Sequence, residues 1–175
     1  SKSIFNNLDE TMGTKLSELI FNGSEEELSK TTNSQPAIMS VSVAILKEIN
    51  ARGLLDNKKI HSVAGHSLGE YSALVANNSL KFEDSVKLLI VRSEAMQKSM
   101  PIGTGGMAAV LGQSEKEIIV VIEKLKSYGK LFIANDNADG QIVLSGEINA
   151  INYLCENAKK FGIKRAIKLP VSAPF

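Results

Sequence analysis

Residues 60–69 read Ile60-His61-Ser62-Val63-Ala64-Gly65-His66-Ser67-Leu68-Gly69. The first five predict a short buried strand, being an apolar run of strand length bounded by a glycine. From Leu68 to Asn77 the spacing of apolar residues predicts a helix. Between them Gly65-His66-Ser67-Leu68-Gly69 fits Gly-x-Ser-x-Gly, a sharp strand-to-helix turn that leaves the serine hydroxyl exposed. The helix N-terminus beside it offers backbone N–H groups with no partner inside the helix. A nucleophile needs such donors when its attack creates a negative oxygen. Both glycines are expected to be required, since a side chain at either place would block the turn or its neighbours. This reading favours α/β structure and makes Ser67 the first candidate for chemistry, ahead of an ordinary strand–helix corner. Glu70 falls in the first turn of the helix, where the macrodipole favours a negative charge, so a structural role is preferred to an acid–base one.

Composition excludes several classes. A chain of 175 residues fits one ordinary domain, or one domain carrying a smaller inserted one. A net charge of +1 with no long basic run argues against a general nucleic-acid binder or a membrane-surface protein. Cys155 is the sole cysteine, which excludes an intramolecular disulfide and a cysteine metal cluster and predicts a reducing, cytoplasmic setting. His61 and His66 do not make a metal site between them. No apolar run approaches a membrane span, and no signal-peptide pattern opens the chain.

The first third reads as helical. Ser34-Gln35-Pro36 predicts a helix start, since proline is tolerated in the first turn, where its missing N–H has no partner anyway. Ile38, Val41, Ile45 and Ile49 follow at near-helical spacing, and Gly53 is a natural stop. Phe82, Val86, Leu89, Ser93 and Met96 mark one face of a later helix, ended by Pro101. Gly103-Thr104-Gly105-Gly106 reads as a hinge or crossover in preference to a ligand loop, because it matches neither a phosphate loop nor the dinucleotide fingerprint.

Beyond it, Met107–Leu111 predicts a strand. Ser114-Glu115-Lys116-Glu117 is a capping box opening a helix with Ile118, Val121, Ile122 and Leu125 on one face. Leu131–Asn135 and Gln141–Ser145 predict two strands joined by a hairpin connection at 136–140. Ile148, Ile151, Leu154, Cys155, Ala158 and Phe161 stripe a second helix that stops at Gly162, and Ala166–Val171 supplies a fourth strand. The order β-α-β-β-α-β is that of a ferredoxin-like unit. Cys155 lies on the helix stripe and reads as a buried structural thiol in preference to a reactive one.

The ordered motifs now carry a resemblance. The chain resembles the malonyl-CoA:acyl carrier protein transacylases of fatty-acid synthesis and the related acyltransferase domains of polyketide synthases. The matching stretches run nearly its whole length: Asn33-Ser34-Gln35-Pro36-Ala37, Gly65-His66-Ser67-Leu68-Gly69-Glu70, Val91-Arg92-Ser93-Glu94-Ala95-Met96-Gln97, Gly105-Gly106-Met107-Ala108-Ala109-Val110, Asn135-Asp136-Asn137, Gln141-Ile142-Val143-Leu144-Ser145-Gly146 and Leu169-Pro170-Val171-Ser172-Ala173-Pro174-Phe175. The resemblance implies a hydrolase-like α/β domain, incomplete here, with an inserted ferredoxin-like subdomain. It divides the chain into 1–104 in the large domain, 105–171 in the small subdomain, and 172–175 at the return to the large one.

The implied chemistry is a ping-pong acyl transfer. Ser67 would attack the thioester of malonyl-CoA, hold the malonyl group as an ester, and pass it to the phosphopantetheine thiol of acyl carrier protein. The Leu68 N–H would be one oxyanion donor. Arg92, twenty-five residues after Ser67, would bind the free malonyl carboxylate through its planar fork. Without the resemblance a solvated helix arginine would be the preferred reading. His66 would line the pocket and is not the base. The family's base is a histidine following a Ser-Ala-Pro-Phe-like segment, expected just after Phe175, and its second oxyanion donor is expected before Ser1. The 175 residues are therefore expected to be an internal segment of a longer enzyme and nearly inactive alone.

Asn135 and Asn137 border the family's cleft and could contact substrate or pantetheine, or satisfy local backbone groups near a turn. Phe175 resembles the bulky residue that crowds out a methyl-branched extender, which favours malonyl over methylmalonyl. No bound cofactor or metal is implied, coenzyme A entering only as the substrate thioester, and a monomer is expected. Besides an acyltransferase module of a polyketide synthase, two other functions compete. One is a serine esterase or thioesterase, which shares Gly-x-Ser-x-Gly. The other is a non-catalytic domain binding an acidic carrier protein through Lys81, Lys87, Lys98 and Lys164, although scattered lysines usually only solubilise.

Overall fold

The computed structural model describes residues 2–56, 59–99, 101, 103–171 and 174–175. Ser172 and Ala173, in the stretch expected to return to the large domain, lie outside the described residues. The chain divides into two compact units, Ser1–Ala95 and Met96–Phe175.

The described residues of the first unit form helices alone: α1 (Lys2–Met12), α2 (Leu16–Asn22), α3 (Glu25–Ser29), α4 (Thr31–Ala51), α5 (Gly69–Ala76) and α6 (Phe82–Gln97), the last crossing the unit boundary. Leu8, Met39, Val86 and Leu89 are fully buried at the centre of this core. Each such side chain contributes roughly 1.5–3 kcal/mol by leaving water. In α6 the buried residues are Phe82, Ser85, Val86, Leu89 and Ser93. Ser85 joins the predicted face, Met96 is only half-buried on it, and the helix stops short of Pro101.

Three expectations in this unit are corrected. Helix α4 starts at Thr31, before Ser34, and Pro36 lies inside it as its sixth residue. The proline leaves the Thr32 carbonyl without its usual donor, while a Gln35-to-Thr31 side-chain bond of 2.7 Å ties the added turn together. The buried face of α4 also differs. Ala37, Met39, Val43 and Ala44 face the core while Ile38 and Ile45 are exposed. Alpha4 is apolar on more than one side, so periodicity marks the helix without choosing which side its neighbours cover.

The third correction concerns residues 60–64, which form no strand and are exposed. A strand exists only when its N–H and C=O groups pair with a neighbour, and among the described residues no backbone bond reaches this segment. The helix after it follows expectation, as does the stop of α4, where Gly53 takes φ +66°.

The second unit carries a four-stranded antiparallel sheet. Its strands are β1 (Gly105–Leu111), β2 (Leu131–Ala138), β3 (Gln141–Glu147) and β4 (Arg165–Lys168), in the spatial order β2-β3-β1-β4. Helices α7 (Glu115–Leu125) and α8 (Ile148–Asn157) complete the order β-α-β-β-α-β. Val110, Ile118, Leu125, Leu144, Ile151 and Leu154 fill its core. The predicted hinge glycines 105 and 106 are already part of β1, which pairs Gly105 with Glu147. Strand β2 runs three residues past Asn135, and two register shifts between Ile133 and Ala138 accommodate the extra length. The fourth strand stops at Lys168, short of the expected Val171.

The capping box forms as read. Ser114 Oγ accepts from Glu117 N–H, and the Ser114 N–H donates to Glu117 Oε2 at 2.8 Å. Ser114→Ala is expected to cost about 1 kcal/mol of stability, read as a lower denaturation midpoint of the intact protein. The backbone and hydroxyl donors of Ser114 hold the Glu117 carboxyl below its ordinary value. Its contribution is therefore complete above the usual glutamate range and fades as pH falls through the lowered value. The alanine variant loses part of that acid-side slope.

Candidate active site

The turn before α5 places Ser67 at φ +53°, in the left-handed region that non-glycine residues seldom adopt. The turn is closed by Gly69 N–H donating to the His66 carbonyl at 2.8 Å and Glu70 N–H donating to the Ser67 carbonyl at 3.2 Å. Gly65 is required here: a Cβ would lie 1.9 Å from the Gly69 carbonyl oxygen and 2.5 Å from Glu70 N. Gly69 is not required in the same way, because a Cβ there meets nothing within 4 Å. The expectation that both glycines are sterically obligatory is corrected to one.

Ser67 and His66 are exposed, and Leu68 is half-buried. Leu68 is the residue capping α5, so its N–H belongs to the group at a helix start that intrahelical bonding does not use. That N–H follows the serine directly, where a negative oxygen formed on an acyl group at Ser67 would find a donor. Glu70 sits in the first turn of α5, as the dipole favours.

Helix α6 returns to this turn and brings Arg92 with it. Arg92 Nη2 donates to Ser67 Oγ at 2.8 Å. Arg92 Nη1 donates to Gln35 Oε1, on α4. Gln35 Nε2 in turn donates to Thr31 Oγ1 at 2.7 Å. Gln35 is 3% exposed and Thr31 6%, so the far end of this chain of bonds is sealed from solvent while the serine end is open. The sequence reading quoted Gln35 within a motif but gave it no role in the site. The signal that could have found it is a glutamine one helical turn after a threonine, just ahead of the apolar run of the same helix.

The remaining candidates lie elsewhere. His61 is exposed and helps line a cavity of about 660 Å³ with Ile4, Val43, Val63 and Phe82. Neither Ser67 nor Arg92 lines that cavity, so its size does not make it the seat of serine chemistry. Asn135, half-buried, and Asn137, exposed, are on β2, and Phe175 is half-buried. These three belong to the second unit. Cys155 is half-buried on α8, and burial pushes its thiol up, which disfavours the reactive thiolate and agrees with a packing role. Among the described residues no group of three or more histidine, cysteine, aspartate or glutamate side chains could hold a metal ion, and no helix is long and apolar enough to cross a membrane.

Comparison with known proteins bears on this geometry. The sequence pattern of the acyl transferase domain family matches residues 4–173. The chain is 45% identical over 176 residues to the malonyl CoA-acyl carrier protein transacylase of Bacillus subtilis, a match covering 100% of this chain and 54% of that one. Among solved structures, it resembles an acyl-carrier-protein-S-malonyltransferase from Bartonella henselae at TM-score 0.90 and 45% identity, over 99% of this chain and 55% of the other. It also resembles a chain in a complex of a type II polyketide synthase acyl-carrier protein with its malonyl-transacylase, at TM-score 0.88 and 35% identity, over 99% and 55% respectively. The chain thus spans about half the length of the relatives it matches.

Proposed function

The chain belongs to the acyl transferase domain family, and from that premise we propose that it transfers a malonyl group from malonyl-CoA to acyl carrier protein through a malonyl ester on Ser67. The 2.8 Å bond between Arg92 Nη2 and Ser67 Oγ carries this reading. A carboxylate held by the guanidinium has the thioester carbonyl of a malonyl group only one methylene away, within reach of the adjacent hydroxyl. Arginine suits the task because its fork makes parallel charge-assisted bonds and keeps its charge at any working pH.

In the first half-reaction Ser67 Oγ bonds to the thioester carbon and its proton passes to a general base. The oxyanion is met by the Leu68 N–H. The C–S bond then breaks, and coenzyme A leaves as the thiol carrying that proton. The phosphopantetheine thiol of the carrier protein reverses these steps on the ester. No cofactor is required, because the acyl group arrives already activated as a thioester. His66 lines the acyl site beside the nucleophile. Asn135 and Asn137 contact substrate or pantetheine, and Phe175 limits the acyl pocket to the unbranched malonyl group.

The same reading assigns 1–104 to a hydrolase-like α/β domain, 105–171 to a ferredoxin-like subdomain and 172–175 to the return between them. The observed order β-α-β-β-α-β supports the middle assignment. The enzyme works as a monomer in the cytoplasm. The names of the relatives support this choice of acyl donor and acceptor.

Incubating the full-length protein with malonyl-CoA and no acceptor is expected to add one malonyl group to the peptide containing Ser67, seen by mass spectrometry. Steady release of free malonate, with no ester accumulating and no transfer to added carrier protein, would instead establish a thioesterase.

A further inference from the structure

We propose that Gln35 is a positioning residue that fixes the Arg92 guanidinium, and that this clamp sets the enzyme's preference for carboxylate-bearing acyl groups. The inference rests on the reading of Arg92 given above. It adds the residue that makes a flexible arginine into an aimed one.

A guanidinium only donates, so the group facing Nη1 must be an acceptor. Gln35 Oε1 supplies it. The amide then has to present Nε2 on its other side, and a donor there needs an acceptor of its own. Thr31 Oγ1 fills that place at 2.7 Å, one helical turn back on α4. A flipped amide would set its NH2 against the guanidinium N–H groups and lose the Arg92 bond, while the Thr31 hydroxyl can accept or donate and suits either orientation. The orientation of Gln35 is therefore fixed by the donor-only guanidinium of Arg92, with Thr31 completing its bonding.

Burial makes the arrangement stiff. Gln35 and Thr31 are shut away from water, so a displaced amide has no solvent partner to fall back on. The free end of the network is Nη2, which reaches the exposed Ser67 hydroxyl at 2.8 Å. An arginine on a helix surface ordinarily samples many rotamers, and holding it costs entropy each time a ligand binds. Anchoring Nη1 to a sealed amide meets that cost within the folded protein. The fork is then aimed beside the nucleophile before substrate arrives. Each terminal nitrogen carries two N–H groups, so bonds to Gln35 and Ser67 leave N–H groups for a carboxylate.

The bland alternative is that Gln35 merely ties α4 to α6. A tie would affect all acyl donors equally, whereas an aimed fork matters only for those with a carboxylate. The test is therefore kcat/KM for malonyl-CoA and for acetyl-CoA, measured side by side on the full-length enzyme. Four proteins are compared: wild type, Gln35→Met, which keeps length and loses the acceptor, Thr31→Val, which keeps Gln35 but removes the hydroxyl its amide donates to, and Gln35→Glu. Thermal midpoints are recorded for each, and Thr31→Val keeps the test open should Gln35→Met fail to fold. The malonyl-to-acetyl ratio is expected to fall on the order of tenfold to a hundredfold in Gln35→Met, the scale of one hydrogen bond to a charged group. A smaller fall in the same direction is expected in Thr31→Val, with the loss in both appearing mainly in KM for malonyl-CoA. Gln35→Glu serves as the rescue variant: it restores an acceptor for Nη1, and a ratio above that of Gln35→Met supports the clamp. Parallel losses for both donors, or an unchanged ratio, would overturn it. A wild type without preference for malonyl-CoA would overturn the reading of Arg92 itself, a failure distinct from that of the clamp.

Discussion

Ser67→Ala is expected to abolish malonyl transfer, with kcat falling by a factor on the order of 10⁴ or more. The size of the effect follows from the proposed double-displacement route: without the hydroxyl there is no ester to form, and what would remain is binding and the oxyanion donor alone. The variant also provides its own control. Alanine and serine bear the same Cβ and suffer alike at φ +53°, so the turn and the thermal midpoint should change little. Loss of the acyl-enzyme peak together with an unchanged midpoint isolates the chemistry from the fold. Undiminished transfer by the variant would remove Ser67 from the mechanism.

Arg92→Ala carries the second largest expected effect. In the proposed role it deletes a charge-assisted pair to the malonyl carboxylate, an expected loss on the order of 10²–10³ in kcat/KM for malonyl-CoA. Acetyl-CoA has no carboxylate to lose, so the preference between the two donors collapses. Arg92→Lys keeps the charge but not the planar fork, and recovers only part of the loss. Competition assays with both thioesters read the outcome directly, and an intact preference in the alanine variant would take the carboxylate-binding role away from Arg92. Arg92→Ala also removes the donor that Nη1 gives the buried Gln35 Oε1, whereas Ser67→Ala cuts the network at its open end only.

What could be read from the sequence tracks how local each feature is. Ser114 and Glu117 announce a helix start because both partners of the capping box lie within one turn. The β-α-β-β-α-β order was legible for a similar reason: each stripe or alternation is complete within its own segment. The turn at Ser67 was legible as a motif, although only Gly65 proves sterically compelled. Residues 60–64 show the limit. Their apolar run has strand character, but pairing is a property of two segments, and no pattern in one of them supplies the other. Helix α4 shows a second limit. Its Ile38 and Ile45 are as apolar as its buried residues, and the choice of face is made by whatever packs on it.

The site divides along the same line. Ser67 was found from five consecutive residues, whereas Arg92 was found by resemblance, since a spacing of twenty-five residues says nothing about where α6 returns. Gln35 was quoted and passed over. A single glutamine near the start of a helix has no pattern of its own, and its meaning lies in the arginine fifty-seven positions later.

The left-handed backbone at Ser67 has a consequence for descent. Holding a residue with a Cβ at such an angle costs on the order of 1 kcal/mol relative to glycine. Selection for folding alone would therefore draw position 67 toward glycine, and only selection for the hydroxyl opposes it. In a duplicated copy released from acyl transfer, serine-to-glycine replacement would be rewarded by a gain in stability. Position 67 thus records whether a lineage still depends on the reaction, and a copy with glycine there marks a fold kept after its chemistry was given up.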